Sequence, residues 1–531
     1  MKGASIISLV WLLALFLVGC GQSGQPSEPA KSESPPAAKT LHAVDGIDWF
    51  EGTVDEAFAA ARESGKPIYL YWGAEWCPPC HAIAATVFKS TEFIERSRLF
   101  VPVYLDGDTE NAQAIGEEFG VLGYPTMIVF DPNGDELTRI PGGIDLQAYA
   151  NILDLTLDNS SSVSSLVETL MSGGINLSEA DCTLVAYYSW GQDTRILVNY
   201  DEAGVFRRMY SACLAGQQVE RSILFLSWLD AALTKSESEE NPVPLTMDQK
   251  HEALTQIDAL LGNDDLIKAS IFAVLFSGQR ITNALTAAGS SERAELAQKF
   301  LQSYDRLAAD ESLYKRERIY TLRGKIRFER SGDPEAEVSV RLQQEIREMV
   351  TWADESTPSA YERQPIINAL GNVLVEAGMD QEAQVLLLAE LDRSKQPYYY
   401  MVTLANIEQR AENHDAAIGW LQKAHAVSKG PATRFQWGSY YLTGLLEMTP
   451  DDTQRIHDTT VSLISEQQRS GFYQRPRAQL KRLEQRLRTW GEDNDTQGVL
   501  TEIRNSVLMV CARTEQPSES RQTCEAFLEA A

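Results

Sequence analysis

The chain has 531 residues, 44% of them hydrophobic and 23% charged, and its 75 Asp+Glu against 47 Lys+Arg give a formal net charge of −28. That length corresponds to about three to four domain equivalents and is ample for large cores. So large an acidic excess argues against nucleic acid as the main partner, because phosphate contacts are carried by Lys and Arg, and against broad adhesion to anionic lipid.

At the N-terminus Lys2 precedes an apolar run over residues 6–18. The run is too short to span a bilayer comfortably, so residues 1–19 read as a signal peptide. It closes on Leu17-Val18-Gly19-Cys20, which resembles the lipobox of bacterial lipoproteins. The resemblance implies cleavage before Cys20 and a lipid on Cys20. Gly21 stands where Asp retains many such proteins at the inner membrane, so the expected location is the periplasmic face of the outer membrane. Residues 21–40 are rich in Ser, Pro, Gly and Ala and bury almost nothing. They read as a leash with an r.m.s. reach of about 25 Å, so anchor and flexible linker together take residues 20–44.

Residues 45–157 alternate helix and strand. The expected elements are a helix over 54–63, a central strand over 67–72, a helix from Pro78, a strand over 100–105 and a helix over 109–118 with acidic residues in its first turn. A hairpin of 126–131 and 136–140 turns across Asn133-Gly134, and a helix over 145–157 closes the unit. This order yields a mixed sheet covered by helices.

Between the central strand and the next helix lies Ala74-Glu75-Trp76-Cys77-Pro78-Pro79-Cys80-His81. A Cys-x-x-Cys pair at a helix start is a redox pair: the thiolate is the reacting form, and the positive end of a helix stabilises it. Cys77 is then the exposed nucleophile and Cys80, one turn inward, the resolving thiol. Half a zinc site has the same spacing, but a closed site needs four ligands. The other cysteines and the six histidines offer no second pair at ligand spacing, so neither a metal nor a cofactor is expected.

A second segment lies about 45 residues on: Val121-Leu122-Gly123-Tyr124-Pro125-Thr126, then a strand, then Pro132-Asn133-Gly134. Together with Trp76-Cys77-Pro78-Pro79-Cys80 it resembles the thioredoxin superfamily, closest in appearance to periplasmic thioredoxin-like domains such as the C-terminal domain of DsbD. The resemblance implies an α/β thioredoxin-like fold and thiol–disulfide oxidoreductase activity on protein thiols and disulfides, with a membrane redox partner that recharges the pair. It implies a cis peptide at Pro125 facing the pair, a substrate-docking edge at Tyr124, and Trp76 flanking it. There is one departure. The family carries a buried Asp six residues before its first cysteine, and Tyr71 stands there. Glu75 is a substitute for proton transfer, with a solvated loop carboxylate as the alternative. His81 either lowers the Cys77 pKa when charged or is an exposed first-turn residue.

Seven cysteines include Cys20, Cys77 and Cys80, which leaves Cys182, Cys213, Cys511 and Cys524. An even remainder in an exported chain suggests structural disulfides, and proximity favours Cys182–Cys213 and Cys511–Cys524; buried free thiols are the alternative. Asp106, Asp108, Glu110 and Glu117 fall near calcium-loop spacings, but the sixth position is Asn111 where such a loop needs Gly. They read as an acidic strand-to-helix loop.

From about residue 163 strand signals fade and a helical period runs almost to the C-terminus. The expected architecture is therefore the α/β unit followed by a large all-α region of helical hairpins: a subdomain over 158–235, a linker at 236–244, and a larger region over 246–531. Leu370, Gly378, Ala383 and Leu387 are echoed 34 residues on by Leu404, Glu412, Ala417 and Leu421. That period resembles a tetratricopeptide repeat, with an irregular bundle as the alternative. A basic stretch at 469–488 has Leu480, Leu483, Leu487 and Trp490 on its core face. Its charged face is solvated, or meets phospholipid, an acidic partner or the chain's own acidic surface. Tyr398, Tyr399, Tyr400, Trp420, Trp437, Tyr440 and Tyr441 are either packing groups or the lining of a concave peptide groove.

Two functions follow. One is a lipid-anchored periplasmic oxidoreductase whose helical region binds substrate or partner. The other is a tetratricopeptide-like scaffold or chaperone lipoprotein whose thioredoxin-like domain is mainly structural.

Overall fold

Side-chain caps set the limits of the first elements in the computed structural model, which describes residues 46–529 apart from 75–76, 159–160, 175, 194, 239–241, 495 and 513–517. The expected signal peptide, Cys20 and the linker lie outside the described residues, as do Glu75 and Trp76. Helix α1 (Val54–Ser64) starts on a capping box between Thr53 and Glu56 and stops at Gly65, whose φ of 70° suits glycine. Strand β1 (Ile68–Gly73) is buried at every position, as a central strand covered on both faces must be. Then come α2 (Pro78–Ala85), α3 (Thr91–Ser97), β2 (Val101–Asp106), α4 (Glu110–Glu118), β3 (Thr126–Phe130), β4 (Glu136–Ile140) and α5 (Leu146–Leu157). The sheet runs β2-β1-β3-β4, with β1 parallel to β2 and antiparallel to β3, and β3 antiparallel to β4. At the β3–β4 turn the Asp131 carboxylate accepts from the backbone N–H of Asn133, Gly134 and Asp135. Helix α3 has no counterpart among the expected elements; seven residues are too few to display a helical period.

Side chains alternate across β1 and divide the sheet's two faces. Ile68, Leu70 and Trp72 join Ala57, Val103 and Ile128 in one core. Tyr69 and Tyr71 face the other way, with Met127, Val129, Cys77, Cys80 and Ile83. This second core does not end at the domain's edge but continues into the helical region.

Nineteen α-helices follow among the described residues. The first eight are α6 (Val163–Met171), α7 (Glu179–Ala186), α8 (Glu202–Ala212), α9 (Gln218–Ser236), α10 (Met247–Leu261), α11 (Asp264–Ala269), α12 (Ile271–Leu285) and α13 (Ser291–Ala309), and they share the core of the redox face. A second core around Ile346, Leu370 and Leu387 lies among α14 (Lys315–Glu329), α15 (Val340–Glu355), α16 (Ala360–Glu376), α17 (Asp380–Glu390) and α18 (Tyr398–Arg410). A third, around Leu445, Ile503 and Phe527, lies among α19 (His414–Val427), α20 (Pro431–Met448), α21 (Thr453–Gln468), α22 (Gln474–Asp493), α23 (Gln497–Cys511) and α24 (Ser518–Ala526). None of these helices is long and apolar enough to cross a membrane.

The repeated residues occupy matching places in two hairpins, α16–α17 and α18–α19, where Leu370, Ala383, Leu387, Leu404, Ala417 and Leu421 are all buried. Gly378 turns the first hairpin at φ 76° and Glu412 the second at φ 58°, so the left-handed turn persists where its glycine does not. Two disulfides staple neighbouring helices. Cys182–Cys213 joins α7 to the end of α8 (Cα–Cα 5.6 Å), and Cys511–Cys524 joins α23 to α24 (5.8 Å).

A buried ionic cluster fastens β4 to the loop after α7. Arg139 has no exposed side-chain surface; it pairs with Glu136 at 2.7 Å and with Asp193, equally buried, at 3.4 Å. Its guanidinium also donates to the carbonyls of Phe119 and Gln192. Arg195 closes the cluster onto Asp193 at 2.7 Å and Glu136 at 2.8 Å. Burial alone would push the Asp193 carboxyl up; the hydrogen bonds from Arg195 and the Arg139 charge hold it below its ordinary value.

Candidate redox site

Pro78 and Pro79 form the first turn of α2, where a missing N–H costs nothing. Cys77 is the N-cap, at φ −80° and ψ 112°, and its Sγ accepts from the Cys80 N–H at 3.2 Å. The sulfur therefore sits against the free amides at the positive end of the helix, where a thiolate is favoured over a thiol. Cys77 and Cys80 are disulfide-bonded, with Cα atoms 5.2 Å apart.

The Tyr124–Pro125 peptide is cis. Gly142 locks this loop to the redox helix: a Cβ added there would lie 3.0 Å from Ile83 Cδ1 and 3.1 Å from Pro125 Cγ. Tyr124 is held by its hydroxyl, which donates to the Gly107 carbonyl at 2.8 Å and accepts from Gln113 Nε2 at 2.8 Å. Burial pushes that hydroxyl up to about 12, so it stays neutral. Tyr71, in the place of the family's carboxylate, stacks on Tyr104 at 5.5 Å and meets Phe88 edge-on at 4.8 Å. His81 is buried rather than exposed in the first turn.

One expectation is corrected. Cys77 is not exposed: it retains 2% of its surface and Cys80 none. The physical reason is the helical region, which folds back over the face that a lone thioredoxin-like unit would present to solvent. Helix α16 packs on α2. Tyr398 and Trp437, 5.2 Å apart, belong to the same core as the two cysteines. The aromatic group at 398–441 thus packs, with Tyr398, Tyr400, Trp437 and Tyr441 buried, instead of lining an open groove.

The contacts that hold this closure were hidden among residues with a bland local reading. Asp108 accepts from the Thr433 hydroxyl at 2.7 and 2.9 Å, at the N-terminus of α20. Glu117 accepts from the Gln474 backbone N–H, an orphan amide at the start of α22, and pairs with Arg477. The Arg475 guanidinium lies over the Tyr124 ring at 4.6 Å. The acidic loop and the basic stretch are complementary halves of one interface, so the basic face meets the chain's own acidic surface. Further along, Arg486 pairs with Glu447 at 2.8 Å and Arg488 with Glu484 at 2.6 Å. The signal available in the sequence was that charge complementarity; its pairing across more than three hundred residues was not.

Comparison with known proteins agrees with this geometry. A thioredoxin-like domain model matches residues 54–156. Thiol:disulfide interchange protein DsbD 1 of Pseudomonas aeruginosa is 32% identical over 104 residues, 19% of this chain and 18% of that protein. Protein disulfide-isomerase erp38 of Neurospora crassa is 32% identical over 92 residues, 17% of this chain and 24% of that protein. The chain thus spans about a fifth of the length of these relatives. Thioredoxin H4 of Arabidopsis thaliana is 36% identical over 90 residues, which cover 17% of this chain and 71% of that protein. Through this segment the chain belongs to the thioredoxin family.

Proposed function

We propose that the protein is a thiol–disulfide oxidoreductase acting on protein thiols and disulfides through Cys77 and Cys80. The observation that carries this reading is the Cys77–Cys80 disulfide at the N-cap of α2, in a fold that also holds Pro125 in a cis peptide. The names of the relatives, thiol:disulfide interchange protein and protein disulfide-isomerase, support it. In the reduced pair the Cys77 thiolate attacks a substrate disulfide, and one substrate thiolate leaves. The Cys80 thiolate then attacks Cys77 Sγ, and the second substrate thiolate leaves. Two electrons pass to the substrate, and a dithiol partner at the membrane returns them. Run backwards, the same steps oxidise.

Tyr124, Pro125 and Trp76 form the docking edge in this reading, and Glu75 serves proton transfer at the resolving thiol. The helical region, built of tetratricopeptide-like hairpins, holds substrate or partner. Cys20 carries a lipid that tethers the protein to the outer membrane on the periplasmic side, and Cys182–Cys213 and Cys511–Cys524 are structural disulfides. The unit limits are 45–157, 158–235 and 246–531. Redox exchange with glutathione tests the reading: the wild type is expected to exchange, and Cys77→Ser to lose all exchange.

The burial of Cys77 favours a second reading, a scaffold or chaperone-like lipoprotein whose thioredoxin-like domain is structural. Full cellular function in a Cys77→Ser strain would support the scaffold and sink the enzyme.

A further inference from the structure

Beside the redox helix the helical region leaves a cleft of about 610 Å³. One wall belongs to the redox unit: Pro79 from the first turn of α2, Tyr124 and Pro125, and the loop through Gly142 and Gly143. The opposite wall is helical, with Ile223 and Leu226 from α9 and Phe272 and Ala273 from α12. The two walls meet at Gly143, where a Cβ would fall 2.4 Å from Phe272 Cε2. Two charges flank the apolar surface. Asp230 is engaged by Arg280 at 2.6 Å, and the Arg316 guanidinium lies 5.9 Å from the Phe272 ring centroid.

We propose that α9 and α12 are the selecting wall of the substrate site, and that the substrate enters as a flexible, extended segment whose cysteine is flanked by apolar side chains. The inference rests on the oxidoreductase reading and names the substrate class for it. Three observations carry it. The cleft is lined by Pro79, which stands between the two cysteines in the sequence, and by Pro125 of the cis peptide. Cys77 keeps 2% of its surface, so the broad convex face of a folded domain is kept away from it. The volume is within the range that encloses a small ligand. Burying apolar side chains against Leu226 and Phe272 is favourable, while a carboxylate seated between them gives up its hydration.

The chemistry balances in the oxidised form that the structure holds. A substrate thiolate attacks Cys77 Sγ, the Cys77–Cys80 bond breaks, and Cys80 leaves as a thiolate. A second substrate thiolate attacks the substrate sulfur of that mixed disulfide, and Cys77 leaves as a thiolate. The substrate loses two electrons and gains a disulfide; the pair gains the two electrons and takes up two protons from solvent.

The experiment uses the full chain in detergent and two pentapeptides with a central cysteine, flanked by leucines in one and by aspartates in the other, with reduced glutathione as reference. The leucine peptide is expected to exchange at least about tenfold faster in kcat/KM than the aspartate peptide. Ala273→Asn should lower that ratio by weakening the leucine peptide, and Ala273→Lys should raise the rate of the aspartate peptide above its wild-type value. The second is a gain that a misfolded protein cannot deliver. A wild type that exchanges with glutathione but treats both peptides alike, or a ratio untouched by both substitutions, overturns the inference alone. A wild type inert even to glutathione overturns the oxidoreductase reading, and this one with it.

Discussion

Gly143 has no room for a side chain, and that is how the redox unit and α12 come to touch. With Phe272 Cε2 at 2.4 Å from any added Cβ, Gly143→Ala must displace that ring. Overpacking of this kind costs about 1–3 kcal/mol. Urea unfolding should show a lower midpoint at unchanged slope, and an unchanged midpoint would mean that the contact is not tight. Residues at this scale were legible when their chemistry is local. Cys77 and Cys80 announce themselves by spacing and by the helix they open, and Pro125 by the pattern around it. Gly143 carries no such mark, because the atom that forbids its side chain belongs to a helix far along the chain. The exposure expected for Cys77 failed for the same reason: a motif states what a residue can do, and what covers it lies elsewhere.

Among the elements, the decisive pairing is between α4 with its preceding loop and the N-termini of α20 and α22. Asp108 and Glu117 put carboxylates at the positive ends of those helices, an arrangement favoured by the helix dipole and by the amides left free there. Losing two such hydrogen bonds, at about 0.5–1.5 kcal/mol each, shifts an opening equilibrium by roughly fivefold or more. In reduced protein, Asp108→Ala with Glu117→Ala should therefore speed alkylation of Cys77 by iodoacetamide by about that factor. An unchanged rate would show that these contacts do not hold the closed arrangement. The hairpins α16–α17 and α18–α19 were legible from their period. Short α3 was not, nor were the helices after α19, whose lengths drift away from the repeat.

For the molecule as a whole, buried titratable groups set the acid limit of the closed fold. Burial, aided by the Arg434 charge, pushes His425 below its ordinary value, so the folded protein keeps it neutral. An unfolded histidine takes up a proton near pH 6.5, so the unfolded state gains protons first. This contribution is complete above about pH 6.5 and is lost as pH falls. Asp193, held down by Arg195 and Arg139 against its burial, contributes above about pH 3.9 and loses its share as pH falls through its folded value. The melting temperature should drop between about pH 7.5 and 5.5, and His425→Gln should flatten that slope. Equal slopes in the two proteins would remove His425 from the account. The sequence conveyed an α/β unit followed by helices. It did not convey that the two share one core, because the apolar faces of α6 to α13 look the same whether they pack on one another or on a sheet.

The central claim is that the covered pair is a working redox centre, and its reduction potential tests this most directly. The full chain is equilibrated in glutathione buffers of graded potential, and Cys77 and Cys80 are quantified by differential alkylation. The account predicts a two-electron titration with a midpoint between about −270 mV, as in thioredoxin, and about −120 mV, as in DsbA; the lower end makes the protein a reductant and the upper end an oxidant. A pair that stays in one state across every buffer, even after long equilibration, would contradict it and leave the helical region to carry the protein's function.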